Sequence, residues 1–213
     1  MPHPVTDLLL QRNSSAKLTT PAPDGILLNT LFQTAFRAPD HGLLRPWRYL
    51  VVEGEGLDRL GELFVASALK ATPDLSQAQQ DKFRKMPARA PMVVVAIASI
   101  QEQVKIPEIE QVMSAGVGVG YLLLSLQAEG YGGMWRTGPL AYNPNVHKAL
   151  GLGSNEKIVG FLYVGTPEGK TKPIPQLNVD DFVKKGTVLM RFEKKEQEAT
   201  LAQSKAKLSE ARA

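Results

Sequence analysis

Seven consecutive apolar residues, MVVVAIA at 92–98, stand between Pro91 and Ser99. A strand with one wet face alternates apolar and polar side chains, so one that is apolar at every position has to be covered on both sides. The run therefore predicts a central strand sandwiched between two layers. At 213 residues, 43% of them hydrophobic and 22% charged, the chain has the length and composition of one globular domain able to supply those layers.

The remaining elements follow from periodicity and breakers. Strands are expected at 47–53, which Gly54 and Gly56 end, and at 157–165. Helices are expected at 6–11, at 24–36 with Asp24 as N-cap, at 57–69, in a polar stretch running to about 86, and at 108–130. Asn143 and Pro144 then start a short helix that Gly151 ends. Residues 130–138 read as a glycine-rich turn feeding a short extended piece. The connection at 37–48 carries Arg37, Asp40, His41, Arg45, Trp47 and Arg48, more polar groups than a loop requires. Its Pro39 and Pro46 are expected to hold Ala38 and Arg45 extended, with Gly42 freeing the backbone between them. Residues 1–192 form the expected domain, and 193–213 a charged, helix-prone tail.

Several classes of chemistry are excluded. The chain has no cysteine, which removes disulfides, thiolate nucleophiles, iron–sulfur clusters and cysteine zinc sites. His3, His41 and His147 are scattered, and no Ser-His-Asp set has a recognisable spacing. The net charge of +4 is too small and too dispersed to point to nucleic acid. Gly116, Gly118 and Tyr121 fail the dinucleotide fingerprint, because Tyr121 stands where its third glycine belongs and the run lies within a helix. The segment 165–171 is one residue short of a phosphate-binding P-loop and contains Pro167. The N-terminus lacks the pattern of an export signal, and the apolar run 115–126 is well short of the roughly 20 residues of a membrane span, so a buried helix is expected. Ala115, Gly116, Gly118 and Gly120 give that helix a small surface suited to close approach, either by a neighbouring helix or by a second subunit.

Three constellations remain: Arg12, Asn13 and Ser14; the 37–48 loop; and GGMWRT at 132–137. Taken in order, RAPDH (37–41), RPWR (45–48), MSAG (113–116), GGMWR (132–136) and KIVGFLYVGTP (157–167) resemble the nitroreductase-like family of FMN-dependent oxidoreductases, most closely its short bacterial members of the YdjA type. The resemblance implies an α+β fold, a central mixed or antiparallel sheet wrapped by helices, in a domain-entwined homodimer with FMN at the subunit interface. It implies that Arg12, Asn13 and Ser14 hold the flavin, that His41 and Arg45 reach it from the partner chain, and that Trp135, Arg136 and Thr137 form a third binding segment. Ser125, Leu126, Gln127, Ala128, Glu129 and Gly130 match the stretch associated with NAD(P) binding, and read equally as a helix end and its turn.

The chemistry of these residues agrees with that cofactor. Arg12 and Arg136 suit a phosphate or a ring carbonyl, Ser14 and Thr137 supply hydroxyls, and the N–H groups of Gly132 and Gly133 could approach the flavin nitrogen that accepts hydride. Trp135 is a wall of the site or core. The pattern usually has arginine where Asn13 stands and glutamine where Arg45 stands, as if one charge had moved from the turn to the partner's loop. The expected activity passes hydride from NADH or NADPH through FMN to a nitroaromatic, quinone or similar acceptor by a ping-pong mechanism in the cytoplasm, with no protein nucleophile. A flavin-binding sensor or storage protein would carry the same motifs; a nucleic-acid-binding module using Arg37, Arg45, Arg48 and the tail fits less well.

Overall fold

The computed structural model describes residues 3–102, 105–170, 172–184 and 186. In chain order they form α1 (Pro4–Leu10), β1 (Leu18–Thr19), α2 (Gly25–Ala35), β2 (Trp47–Glu53), α3 (Glu55–Ala71), α4 (Gln77–Arg84), β3 (Met92–Ser99), α5 (Glu108–Ala128), β4 (Gly132–Arg136), α6 (Pro144–Ala149) and β5 (Glu156–Pro167). The chain divides into two compact units, 1–174 and 175–213, and every element above lies in the first. In the second, a 3₁₀ turn at Val179–Asp181 is started by Asn178, whose side-chain oxygen accepts the Asp180 N–H. The expected boundary at 192 and the tail beyond it lie outside the described residues.

Among the described residues every strand pairing is antiparallel, the second of the two sheet types expected. The sheet runs β1-β5-β3-β2, with β4 also pairing with β5. β3 is the covered strand that its composition demands. Met92, Val94 and Ala96 face Leu31 and Ala35 of α2 and Val119, Leu122 and Leu126 of α5. Val93, Val95 and Ile97 face Leu60 and Phe64 of α3 and Val146 of α6. Period-two alternation thus delivers successive residues to two separate cores.

A polar tie joins the strands on either side of β3. Arg48 of β2 donates from Nε and Nη2 to the two oxygens of Glu156 of β5, at 2.8 and 2.6 Å. Glu156 also accepts the Gly153 N–H and the Ser99 hydroxyl. The Arg48 hydrogen bond holds the Glu156 carboxyl down to about 2, and the same bond raises Arg48.

α5 is longer than its central apolar run. Its 21 residues have the length and apolarity of a membrane span, as the core helix of a packed domain also does, and Ala115, Val119, Leu122, Leu123 and Leu126 are buried, as the buried-helix expectation requires. One face packs against α2, where the Ser125 hydroxyl donates to Thr34 Oγ1 at 2.8 Å. Gly118 makes that approach possible: a Cβ there would lie 3.1 Å from the Ala35 carbonyl oxygen and 2.8 Å from the Tyr49 hydroxyl. Nothing within 4 Å faces Gly120. On the outer face Ile109, Met113, Val117 and Tyr121 recur every fourth residue and are 62, 55, 39 and 36% exposed. The two uses open to the glycines therefore fall to different residues: Gly118 receives a neighbouring helix, and Gly120 lies open beside an apolar stripe.

Smaller corrections have local causes. Asp24 occupies the N-cap position of α2, but its side chain makes no capping bond. Residues 132 and 133 belong to β4 rather than to a turn, because they pair with Gly165 and Val164 of β5.

Candidate functional site

The site is built along β4, between the turn that follows α1 and the connection that follows β4. Arg12 Nη1 donates to Ser14 Oγ at 3.3 Å. Asn13 is pinned on three sides: its N–H donates to Gln127 Oε1 at 3.4 Å, its side-chain amide to the Lys172 carbonyl at 2.6 Å, and its Oδ1 accepts the Ser14 N–H at 2.9 Å. The Ser15 N–H donates to the Gly133 carbonyl at 3.1 Å. A Cβ on Gly132 would sit 2.7 Å from both Ser15 Oγ and Pro167 Cγ, so only glycine lets the turn lie against β4 there.

These bonds bring Arg12, Asn13, Ser14, Gly132 and Gly133 together and open a cavity of about 310 Å³. Its lining includes Ser14, Ser15, Lys17, Glu168, Lys170 and Lys172. Three ammonium groups, one carboxylate and two hydroxyls suit an anion of phosphate size. Lys17, Lys170 and Lys172 belong to no sequence pattern for a binding site; Lys170 lies within the 165–171 segment that fails as a P-loop, and Lys172 just beyond it. They also bear on the charge missing at Asn13. Positive charge is supplied at the same turn by lysines from another part of the chain.

At the other end of β4 the side chains alternate. Met134 packs in the core on the α3 side, and Trp135 points to the α5 side. The Trp135 indole N–H donates to the Val159 carbonyl at 3.3 Å, which makes this residue a wall built into the core. The Arg136 guanidinium lies over the Tyr163 ring, 5.6 Å from its centroid, and its Nε is buried without a hydrogen-bond partner among the described residues. Burial raises the Tyr163 phenol, while Arg136 and Arg89 pull it back. Thr137 lies beyond the strand on a second cavity, of about 240 Å³, whose walls include Thr72, Leu75, Phe83, Met86 and Leu140.

His41 and Arg45 are not brought to this place within one chain. Their loop is docked on the start of α5, with His41 Nδ1 2.7 Å from Glu110 Oε2. The Gln101 side-chain amide donates to the Leu44 carbonyl. Arg45 is not extended: its φ is +51, and Leu43 has φ +54. Proline at 46 does keep Arg45 out of the right-handed helical region, and the Asp40 carboxylate, accepting the Arg45 N–H at 2.6 Å, turns it into the left-handed one. Glu110 and Gln127 lie near opposite ends of α5. At 1.5 Å per residue the helix separates the His41 loop from the Arg12 turn by about 25 Å.

A family model described as "Nitroreductase family" matches residues 9–166. The chain belongs to the nitroreductase family. It is 40% identical over 175 residues to the protein of Escherichia coli strain K12 named "Putative NAD(P)H nitroreductase YdjA", covering 82% of this chain and 93% of that one. Among solved structures, a nitroreductase-like family protein from Bacillus cereus superposes with a TM-score of 0.74 at 21% identity, covering 86% of this chain and 96% of that one. The FMN and NADPH-dependent nitroreductase NfnB from Sphigopyxis sp. strain HMH gives 0.68 at 20% identity, covering 87% of this chain and all of the other. At these identities the structures show a nitroreductase-like fold.

The six residues 125–130 are the end of α5 and its turn. Ser125 bonds α2 and Gln127 bonds both Asn13 and the Leu8 carbonyl. Leu126 is 1% exposed, which leaves it no side-chain surface for a nicotinamide. Ala128, Glu129 and Gly130 are exposed.

Proposed function

We propose that the protein is an FMN-dependent NAD(P)H oxidoreductase that reduces nitroaromatic, quinone or similar acceptors. The observation that carries this reading is the layout along β4: lysines on the wall of a cavity of about 310 Å³ at its Gly132 end, and a half-buried arginine, Arg136, at the other. The four rises from Gly132 to Arg136 span about 13 Å, the order of separation between a phosphate site and a ring site that a ribityl phosphate bearing an isoalloxazine ring needs. The Arg136 guanidinium, half-buried over Tyr163, is the donor for a ring carbonyl in this reading.

In this reading Arg12, Ser14, Lys17, Lys170 and Lys172 hold the phosphate. Gly132 and Gly133 keep the turn close to β4 at the phosphate end, and Asn13 ties it to α5. Arg136 orients the ring, Trp135 stiffens the strand beneath it, and Thr137 borders the ring's edge. Bound FMN supplies the hydride transfer in both directions. One open face serves first NADH or NADPH and then the acceptor, so the kinetics are ping-pong. The exposed residues 128–130 are the part of the α5 end available to the nicotinamide cofactor. A cytoplasmic location matches the supply of that reductant.

The second chain enters through α5. Two copies paired about a twofold axis across Ile109, Met113, Val117 and Tyr121 would run their α5 helices antiparallel, setting the start of one beside the end of the other. His41 and Arg45 of one protomer then come to the Arg12 turn of its partner. That is the arrangement in which a 25 Å separation within one chain and a shared site are compatible.

The test is the purified protein's absorbance spectrum with and without added FMN, followed by NAD(P)H oxidation with a quinone acceptor. A flavin spectrum, FMN released on denaturation and steady turnover are expected, and Arg12→Ala should weaken FMN retention about tenfold. A colourless protein that takes up no added FMN overturns the proposal; flavin without turnover makes it a sensor or storage protein.

A further inference from the structure

We propose that Glu110 is a positioning residue for the cofactor site, fixing the orientation and tautomer in which His41 is offered to the partner protomer. This rests on the two-chain reading above. The Glu110 carboxylate, 2.7 Å from His41 Nδ1, accepts a hydrogen bond from the Nδ1–H and holds the imidazole by one nitrogen. Nε2 lies on the far side of the ring and bonds nothing among the described residues. With Nδ1 carrying the proton, neutral His41 presents Nε2 as a lone-pair acceptor directed away from its own chain, suited to a ribityl hydroxyl or a ring N–H of the flavin.

The surroundings favour a held rather than a wandering side chain. Asp40 fixes the Arg45 N–H and Gln101 fixes the Leu44 carbonyl. Leu43 and Arg45 both sit at positive φ, a strained pairing for non-glycine residues that the loop keeps only because these contacts over-determine it. A Cβ on Gly42 would fall 2.4 Å from Ile106 Cδ1, so the loop also presses against the chain leading into α5. Glu108, the other acid in the first turn of α5, is taken by Lys157, which leaves Glu110 as the carboxylate that serves the histidine. Glu110 also directly follows Ile109, the first residue of the exposed stripe, so the pair stands at the margin of the surface through which two copies would meet.

The experiment measures FMN affinity by flavin fluorescence in wild type, His41→Ala, Glu110→Leu, Glu110→Gln and the double variant His41→Ala/Glu110→Leu, with dimer content checked by sedimentation. Glu110→Leu should weaken binding about tenfold with the dimer intact, the double variant should bind no more weakly than His41→Ala alone, and Glu110→Gln should restore most of the affinity because its amide oxygen still accepts from Nδ1. Unchanged affinity in Glu110→Leu, or additive losses in the double variant, overturns the role. A wild type that binds no FMN instead overturns the reading beneath it, and normal affinity in His41→Ala removes His41 and Glu110 together.

Discussion

Gly160 is where one missing atom decides the most. β5 carries an extra residue at this point, since Ala96 of β3 faces Gly160 while the next residue, Ile97, faces Ile158. The skipped residue is Val159, and its carbonyl is the one that receives the Trp135 indole N–H. The bulge therefore has its unpaired carbonyl satisfied from the neighbouring strand. A Cβ on Gly160 would lie 2.1 Å from Trp135 Nε1 and 3.0 Å from the Arg136 carbonyl, so the indole has to leave. Gly160→Ala should destabilise the fold by about 2–4 kcal/mol, from overpacking and the orphaned carbonyl together, read as a lower denaturant midpoint. At Glu156 the prediction is one of pH. Its carboxyl is held down to about 2 in the fold, so its contribution is fully present above the ordinary carboxylate range near 4.5 and is lost as pH falls toward 2. The contribution is at most about 3 kcal/mol, and less after screening on the more open Arg48 side. Glu156→Gln should therefore flatten the acid limb of a stability–pH curve between pH 5 and 2; an unaltered limb would assign acid unfolding elsewhere.

The elements differ in how readily their sequences declare them. β2 and β3 were legible because a β-branched apolar run has few other uses; α4 was legible only as a polar helix ending near 86, and the capping box of Ser76 and Gln79 that starts it emerges in the structure. β4 was misread in part, since two glycines in succession signal a turn, and it takes β5 alongside to use them as strand. The Asp24 position was legible while its hydrogen bond was not, because a cap depends on a rotamer. The candidate site was legible as three separate segments. Lys17, Lys170 and Lys172 were hidden because their meeting depends on β1 and β5 pairing at Leu18 and Pro167, a contact across nearly the whole domain. Glu110 was hidden for the same reason, lying 69 residues from His41. α5 separates two kinds of glycine that look alike in sequence. Gly118→Ala should cost about 1–2 kcal/mol, the clash with Ala35 and Tyr49 exceeding the gain of about 1 kcal/mol in helix propensity. Chemical denaturation against wild type measures this, and a neutral result would show that α2 can yield.

For the molecule as a whole, the proposed dimer would couple assembly and cofactor retention through the outer face of α5. Four large apolar side chains at successive turns, beside an open Gly120, form a continuous strip that a single chain leaves in water. The proposed site places the phosphate cations in one protomer and His41 with Arg45 in the other, so a ligand that bridges them binds the dimer more tightly than the monomer. Linkage then requires FMN to tighten the dimer and dilution to loosen FMN by the same free energy. Met113→Glu tests this at the centre of the strip. Met113 is 55% exposed, so the change leaves both cores untouched, and the circular dichroism spectrum should match wild type. Two carboxylates brought together across a twofold axis in an apolar contact should yield a monomer by sedimentation at micromolar concentration. FMN affinity should drop at least tenfold in that monomer, and wild-type affinity should fall on dilution through the same dissociation range. A folded Met113→Glu monomer that keeps wild-type FMN affinity would mean that one chain completes the site, with Arg136 and the lysine cavity sufficient for the cofactor and the His41 loop left without a part in holding it.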